Sequence, residues 1–369
     1  MINSNGYDVI KMRRDLHQIP ELSKKEYKTK EYIKELLKKS KGKLIEVNET
    51  GLILLYDFKK EKSIAFRCEE DALPIREEND VFYKSKHEGI SHACGHDGHM
   101  AMILALSKYI DENILDYPKN IILVFQPSEE NSGGAKIILD SLILQQYNVD
   151  EMYSTHIWPY LEEGKIFTSK GVLLASSSEV DVIIKGRSVH VGDYEKGNDA
   201  LASACYFINA MYQKQKNIVE EKYLLRCGKM ESGVARNIVS SSSTLNITLR
   251  TFSSFMYKKL IALLEECKEE ADKLFLTTTS LIIHDDYSLV HNDKYLVDKL
   301  QGLDISLLNK KYMQADDFGN YSSFFPCVMF LLGCGNKVSL HSPRFDFNED
   351  ILLQGVNNYI NILSINKNK

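Results

Sequence analysis

No stretch of this 369-residue chain stays apolar for the roughly 18 residues that a helix needs to cross a bilayer. Its opening, MINSNGYDVIKMRRD, lacks an apolar core and reaches charge at once, so no export signal is expected there. The seven cysteines, at 68, 94, 205, 227, 267, 327 and 334, lack the close spacing of a disulfide framework. Without an export signal they are expected as reduced thiols in a cytoplasmic protein. A positive excess is missing too. The 46 Lys and Arg against 51 Asp and Glu leave a formal charge of -5, and the basic residues are interleaved with acids, which argues against a nucleic-acid partner. Internal repeats and low-complexity tracts are also absent. What remains is 44% hydrophobic and 26% charged, a globular composition long enough for two domains of ordinary size.

The pattern along the chain changes once. "KKEYKTKEYIKELLKKS" (24–40) places Tyr27, Tyr32, Ile33, Leu36 and Leu37 at helical spacing. "TGLILLYDF" and "KSIAFRCEED" read as strands, a helix runs from Gly98, and "NIILVFQPSEE" is a buried strand ending at a turn. "GGAKIILDSLI" reads as helix and "EMYSTHIWP" as strand again, an alternation that predicts an α/β layer around a largely parallel sheet. Near residue 178 the order becomes β-α-β-β-α-β, with a helix opened by Asn198 in a cap position; this is a ferredoxin-like unit. "CVMFLLGCG" and "DILLQGVNNYINIL" then return to the first pattern. The expected architecture is an α/β domain of residues 1–177 and 288–369, interrupted by an α+β insertion at 178–287.

Four stretches at strand ends carry chemistry. "SHACGHDGHM" holds His92, Cys94, His96 and His99; "QPSEENSGG" holds Glu129 and Glu130; "STHIWP" holds His156; "SLHSPRFDFNED" holds His341. Ligands of open α/β sheets gather outside the carboxyl ends of the strands, so these stretches can converge. A lone histidine is more often a hydrogen-bonded core or surface residue, and paired glutamates are usually solvated. Glu129 and Glu130, however, follow a buried strand and precede Gly-Gly, a costly place for idle charge. Three chemistries compete for the set. A Cys94 nucleophile with His96 as base is opposed by their spacing, two apart on a turn. A structural zinc clip needs two close-spaced ligand pairs, and only one exists. A catalytic metal centre fits best, with a thiolate, imidazoles and a carboxylate as ligands and the other glutamate left to move protons. His92, His99 and His17 are read as supporting residues.

Together, "RRDLHQIPELS", "FRCEEDALPI", "HACGHDGHMAM", "FQPSEENSGGAK", "THIWP", "NIVSSSSTLNITLRTF", "ADDF" and "LHSPRFDFNED" span nearly the whole chain. In them the sequence resembles the M20 metallopeptidase family, in the amidohydrolase subfamily of hippurate hydrolases, N-acetyldiaminopimelate deacetylases and auxin-conjugate hydrolases. The resemblance implies a two-domain fold whose inserted domain acts as a lid and dimerisation surface. It also implies two divalent ions, of zinc, manganese, cobalt or nickel, held by Cys94 as bridging thiolate with His96, Glu130, His156 and His341. Glu129 would be the general base, taking a proton from the attacking water and delivering it to the leaving amine. His190, in "GRSVH", would stabilise the oxyanion across a dimer. Asn237 would contact substrate, Arg250 anchor a carboxylate, and Asp316 lie near the amino-acid side; Asp71 would support the ligands from behind.

Three departures stand out. The usual "RADMDALP" reads "RCEEDALP", so Glu69 replaces an aspartate and Cys68 an alanine. The usual "GHAAMPH" reads "HVGDYEKGND", without its proline and second histidine, and "ADDF" stands for "SEDF". The function expected from residues and resemblance together is a metal-dependent amidohydrolase that removes the acyl group from a small N-acyl amino acid or short peptide. It would work as a homodimer, away from membranes. A dipeptidase or aminopeptidase of the same family, or a non-catalytic metal-binding member, are the alternatives.

Overall fold

Five segments, Gly51–Tyr56, Ser63–Glu69, Asn120–Gln126, Val149–Trp158 and Cys327–Gly333, are buried at nearly every position. Continuous apolar strands of this kind need a sheet covered on both faces. A computed structural model, describing residues 8–131 and 133–367, places them in one eight-stranded sheet. Across it the order is Lys43–Val47, Gly51–Tyr56, Asn120–Gln126, Ser63–Glu69, Val149–Trp158, Cys327–Gly333, Ile166–Thr168, Ile305–Leu307. The centre is parallel: Ser63–Glu69 pairs in parallel with Asn120–Gln126 and Val149–Trp158, and Val149–Trp158 with Cys327–Gly333. Antiparallel pairs enter on both flanks, so the sheet is mixed and mainly parallel.

The helix His96–Asn113 is buried through most of its length and packs on Val9–His17 and Ile351–Lys367. Met100 to Leu106 face one apolar cluster shared with Phe66, Phe125, Phe330 and Leu352. The helix begins at His96, two residues before the expected Gly98, so His96 and His99 share its first turn. The expected helix in "GGAKIILDSLI" splits into Gly134–Asp140 and Ile143–Gln146, because Leu142 has φ 59° and breaks the run.

The chain divides into two compact units. One runs to Leu173 and takes in Val290–Lys310 and the residues from Asp317 on; the other comprises Leu174–Leu289 with Lys311–Asp316. The short run Lys311–Asp316, expected with the first domain, therefore clusters with the second unit. There, Ser176–Lys185, Leu224–Ser232, Ser242–Thr251 and Thr278–Tyr287 form a separate antiparallel sheet. Its order is fourth, first, third, second strand. The helices Ala200–Lys214 and Ser254–Phe275 complete the β-α-β-β-α-β unit and share its core through Phe207, Met211, Leu260 and Leu264. Asp199, not Asn198, caps the first of these helices, accepting from Leu201 N and Ala202 N. The Asn198 side chain instead donates to the Leu276 carbonyl. Among the described residues no helix is long and apolar enough to cross a membrane.

Candidate metal centre

Cys94 and His96 flank the start of a helix, Glu130 follows the strand Asn120–Gln126, His156 lies near the end of Val149–Trp158, and His341 sits in the loop between Cys327–Gly333 and Ile351–Lys367. Gly95 precedes the helix at φ 85°, a conformation glycine adopts without penalty, and sets Cys94 and His96 on either side of the bend. Ser128, after the strand Asn120–Gln126, has φ 57°, and His341 has φ 62°. Such non-glycine outliers cluster at functional sites, where the surrounding structure holds them.

Asp71, wholly buried just beyond Ser63–Glu69, ties these pieces together. Its Oδ1 accepts the backbone N–H of Glu129 at 3.0 Å, and its Oδ2 accepts that of Glu130 at 2.9 Å and the Ser23 hydroxyl at 2.6 Å. Its own carbonyl lies 2.8 Å from His96 Nδ1. A carbonyl only accepts, so His96 carries a proton on Nδ1 and aims Nε2 inward. The Ile157 carbonyl, 2.7 Å from His156 Nδ1, sets that ring in the same way.

The freed atoms converge. Donor atoms of Cys94, His96 and His156 lie within 4.8 Å of one another; so do those of Cys94, Glu130 and His341, and those of His96, Glu129 and Glu130. Cys94 is common to the first two groups. Cys94 Sγ is 3.6 Å from His156 Nε2; a tetrahedral ion with metal–sulfur and metal–nitrogen bonds of about 2.3 and 2.0 Å separates two such donors by about 3.5 Å. Glu130 Oε1 lies 3.3 Å from His341 Nε2 and 3.9 Å from His96 Nε2. His96 Nε2 and Glu130 Oε1 are buried and make no hydrogen bond, which is costly for polar atoms unless a further partner meets them. The donors are therefore of a kind that suits divalent ions, and two of the groups share Cys94.

The electrostatics agree. Burial opposes charge on His96, but Asp71, Glu69 and Glu130 outweigh it and push the imidazole up to about 10. A field that retains a proton so firmly also favours a cation in its place. Burial, then Glu130 and Glu129, hold the Cys94 thiol well above its ordinary range. Burial holds the His156 imidazole well below its ordinary range, so it is neutral with its lone pair available.

Other histidines take supporting places. His17 Nδ1 is 2.7 Å from Asp97 Oδ2 and Nε2 is 3.3 Å from Glu77 Oε1, so both ring nitrogens face carboxylates. Arg13 joins Asp97 at 2.7 Å and Asp346 at 2.8 Å, both within the first unit. His92 is buried, and burial pushes its imidazole down to about 3. A buried network went unread in the sequence: Arg67 Nε donates to Gln126 Oε1 at 3.0 Å and Nη2 to Asp317 Oδ1 at 2.6 Å, while Nη1 meets Glu69. An arginine and a glutamine inside apolar strands were the available signal, since such groups are buried only with partners.

Four candidates belong to the second unit. His190 and Asn237 lie on one short ladder: His190 bridges Ile238, and Val191 N donates to the Asn237 carbonyl at 3.0 Å. Neither is buried. Gly192 N donates to His190 Nδ1 at 3.1 Å. Arg250, on Ser242–Thr251, donates to the Met313 carbonyl at 2.8 Å. Asp316 is buried at the end of Lys311–Asp316.

The profile of "Peptidase family M20/M25/M40" matches residues 65–364. An N-acetyldiaminopimelate deacetylase of Halalkalibacterium halodurans is 31% identical over 363 residues, covering 95% of this chain and 97% of the relative. The protein of that name from Oceanobacillus iheyensis is 32% identical over 365 residues, covering 96% and 98%. Among solved structures, a dinuclear metal-binding peptidase of the M20 family from Bacillus subtilis superposes with a TM-score of 0.83 at 25% identity, covering 97% of this chain and 96% of its own. A protein from methicillin-resistant Staphylococcus aureus shares the fold with a TM-score of 0.89 at 24% identity, covering 98% and 96%.

Proposed function

This chain belongs to peptidase family M20/M25/M40, and from that premise we propose that it is a two-metal amidohydrolase removing the acyl group from an N-acyl amino acid. The observation that carries the reading is the pair of donor groups sharing Cys94, with Glu129 among the donors beside them. Cys94, His96 and His156 would hold one ion, and Cys94, Glu130 and His341 the other. When bound, such ions supply a Lewis acid for the amide carbonyl and favour hydroxide over water near neutral pH.

The chain's own groups would do the rest. Asp71 holds the backbone under Glu129 and Glu130. Glu129 takes a proton from the attacking water on its carboxylate and returns it to the departing nitrogen. Because Gly192 donates to Nδ1 of His190, that ring carries its proton on Nε2, which makes it a donor for the oxyanion. Asn237, Arg250 and Asp316 would contact the amino-acid portion, and a homodimer through the second unit would place His190 across subunits. The deacetylase names of the relatives make N-acetyldiaminopimelate the first substrate to try.

The test is hydrolysis of N-acetyl, N-benzoyl and dipeptide substrates by protein stripped with chelator and resupplied with zinc, manganese, cobalt or nickel, beside Glu129→Gln. Metal-restored deacylation by the parent, lost about 10²–10⁴-fold in the variant with metal content unchanged, is the expected result, since general-base contributions are of that size. Turnover restricted to substrates with a free amine would assign a dipeptidase instead. Two bound ions without turnover of any substrate would count against catalysis.

A further inference from the structure

Glu69, His96 and His99 also bring three donor atoms within 4.8 Å, which reads at first as another ion site. The hydrogen bonds of His99 argue otherwise. Its Nε2 accepts the backbone N–H of Ile157 at 2.9 Å, so in a neutral ring the proton sits on Nδ1. That proton points to Glu69 Oε2 at 2.8 Å. Neither nitrogen is left to meet a metal.

The backbone that His99 holds is a strand end past the reach of its neighbouring strand. The ladder between Ser63–Glu69 and Val149–Trp158 stops at the Arg67–Ser154 pair, two residues before His156. On the other side Cys327–Gly333 continues to pair, with Leu331 opposite His156 and Leu332 opposite Ile157. The imidazole of His99 thus takes the place of a missing strand. Ile157 is fixed from both ends, its N–H by His99 and its carbonyl by the His156 ring at 2.7 Å. Glu69 is anchored in turn by Arg67, itself held by Asp317 and Gln126.

We propose that Glu69 and His99 are positioning residues for His156. The carboxylate selects the tautomer of His99, and His99 clamps the Ile157 backbone from which His156 turns Nε2 toward Cys94. The proposal rests on His156 being a ligand, as in the function proposed above. It gives the glutamate that replaces the usual aspartate a definite role, because its carboxylate reaches Nδ1 of a histidine that binds no metal. Partners that orient a ligand in this way are worth about 10–100-fold in metal affinity.

The experiment titrates zinc into the metal-free full chain against a chromophoric chelator, and records the thiolate charge-transfer band after cobalt loading. Wild type is compared with His99→Leu, His99→Gln and Glu69→Gln, each checked for cooperative thermal unfolding. Wild type should take up two zinc ions and show the cobalt–thiolate band. His99→Leu should weaken one of the two binding steps about 30-fold and leave the other unchanged. His99→Gln, whose amide oxygen can still accept from Ile157 N–H, should stay within about threefold of wild type, while Glu69→Gln, which frees the wrong tautomer, should lose about tenfold. A folded His99→Leu with both steps unaltered overturns the clamp. If His99→Leu does not fold, the other two decide, and a Glu69→Gln as tight as wild type overturns it. Fewer than two zinc ions, or no cobalt–thiolate band, in wild type overturns the site reading itself.

Discussion

Replacing Asp71 by asparagine changes little volume and removes one charge, at the point where three pieces of the site are joined. The native carboxylate accepts the Glu129 and Glu130 N–H groups at 3.0 and 2.9 Å and the Ser23 hydroxyl at 2.6 Å. Asparagine keeps one accepting oxygen, but its NH₂ must face one of these donors. A hydrogen bond to a charged group contributes about 1.5–3 kcal/mol, and a buried donor left unpaired costs a similar amount. The loss is therefore about 3 kcal/mol, taken mostly by the loop that carries both glutamates. Displacing a catalytic group by about 1 Å lowers the rate about 10²-fold. Asp71→Asn should lower kcat about 10²-fold with KM within about threefold, and weaken zinc about tenfold. Ser23→Ala removes only the hydroxyl contact and should change kcat by less than about threefold. The measurements are steady-state kinetics on the best acyl substrate and zinc titration of the metal-free protein. A kcat for Asp71→Asn within about threefold of wild type, in a folded variant, would refute the reasoning, because the glutamate loop would then hold its place without the carboxylate.

Two further outcomes follow from groups outside the donor set. Burial works against charge on His17, but Asp97 and Glu77 outweigh it and push the imidazole up to about 9, from 6.5. Because the folded value is the higher, the stabilisation, about 3 kcal/mol, is complete below pH 6.5 and disappears as pH rises through 9. Chemical denaturation of the metal-free protein should show His17→Gln differing from wild type by that amount at about pH 6 and hardly at all near about pH 10; a difference that grows with pH would sink the assignment. Gly134 begins the helix after the glutamate loop, and a Cβ there would lie 1.9 Å from the Pro127 carbonyl and 2.7 Å from Gln126 Nε2. Gly134→Ala should destabilise by roughly 3 kcal/mol and lower kcat with it, read by thermal unfolding and kinetics; a neutral substitution would show the loop to be compliant.

The apolar runs, the change of pattern near residue 178 and the chemistry-bearing strand ends were all readable in the chain. Alternation of period and burial is local, and a run such as "NIILVFQ" has few ways to satisfy both its backbone and its side chains except as a covered central strand. Helix boundaries were less legible. Asp199 and Asn198 are both good caps, and only the fold decides that Asn198 turns to the Leu276 carbonyl while Asp199 meets the helix. Similarly, the sequence showed that His96 and His99 are three apart but not that one faces the donor set and the other a strand end.

What the sequence determined alone was the set of groups: a thiol, several imidazoles and paired carboxylates at strand ends. Only the tertiary structure decided which nitrogen each imidazole offers. That depends on carbonyls and N–H groups brought close by the sheet and its loops: Asp71 O to His96, Ile157 O to His156, Ile157 N to His99. A tautomer is set by hydrogen-bond partners that the fold brings to the ring, and spacing along a chain carries no record of them.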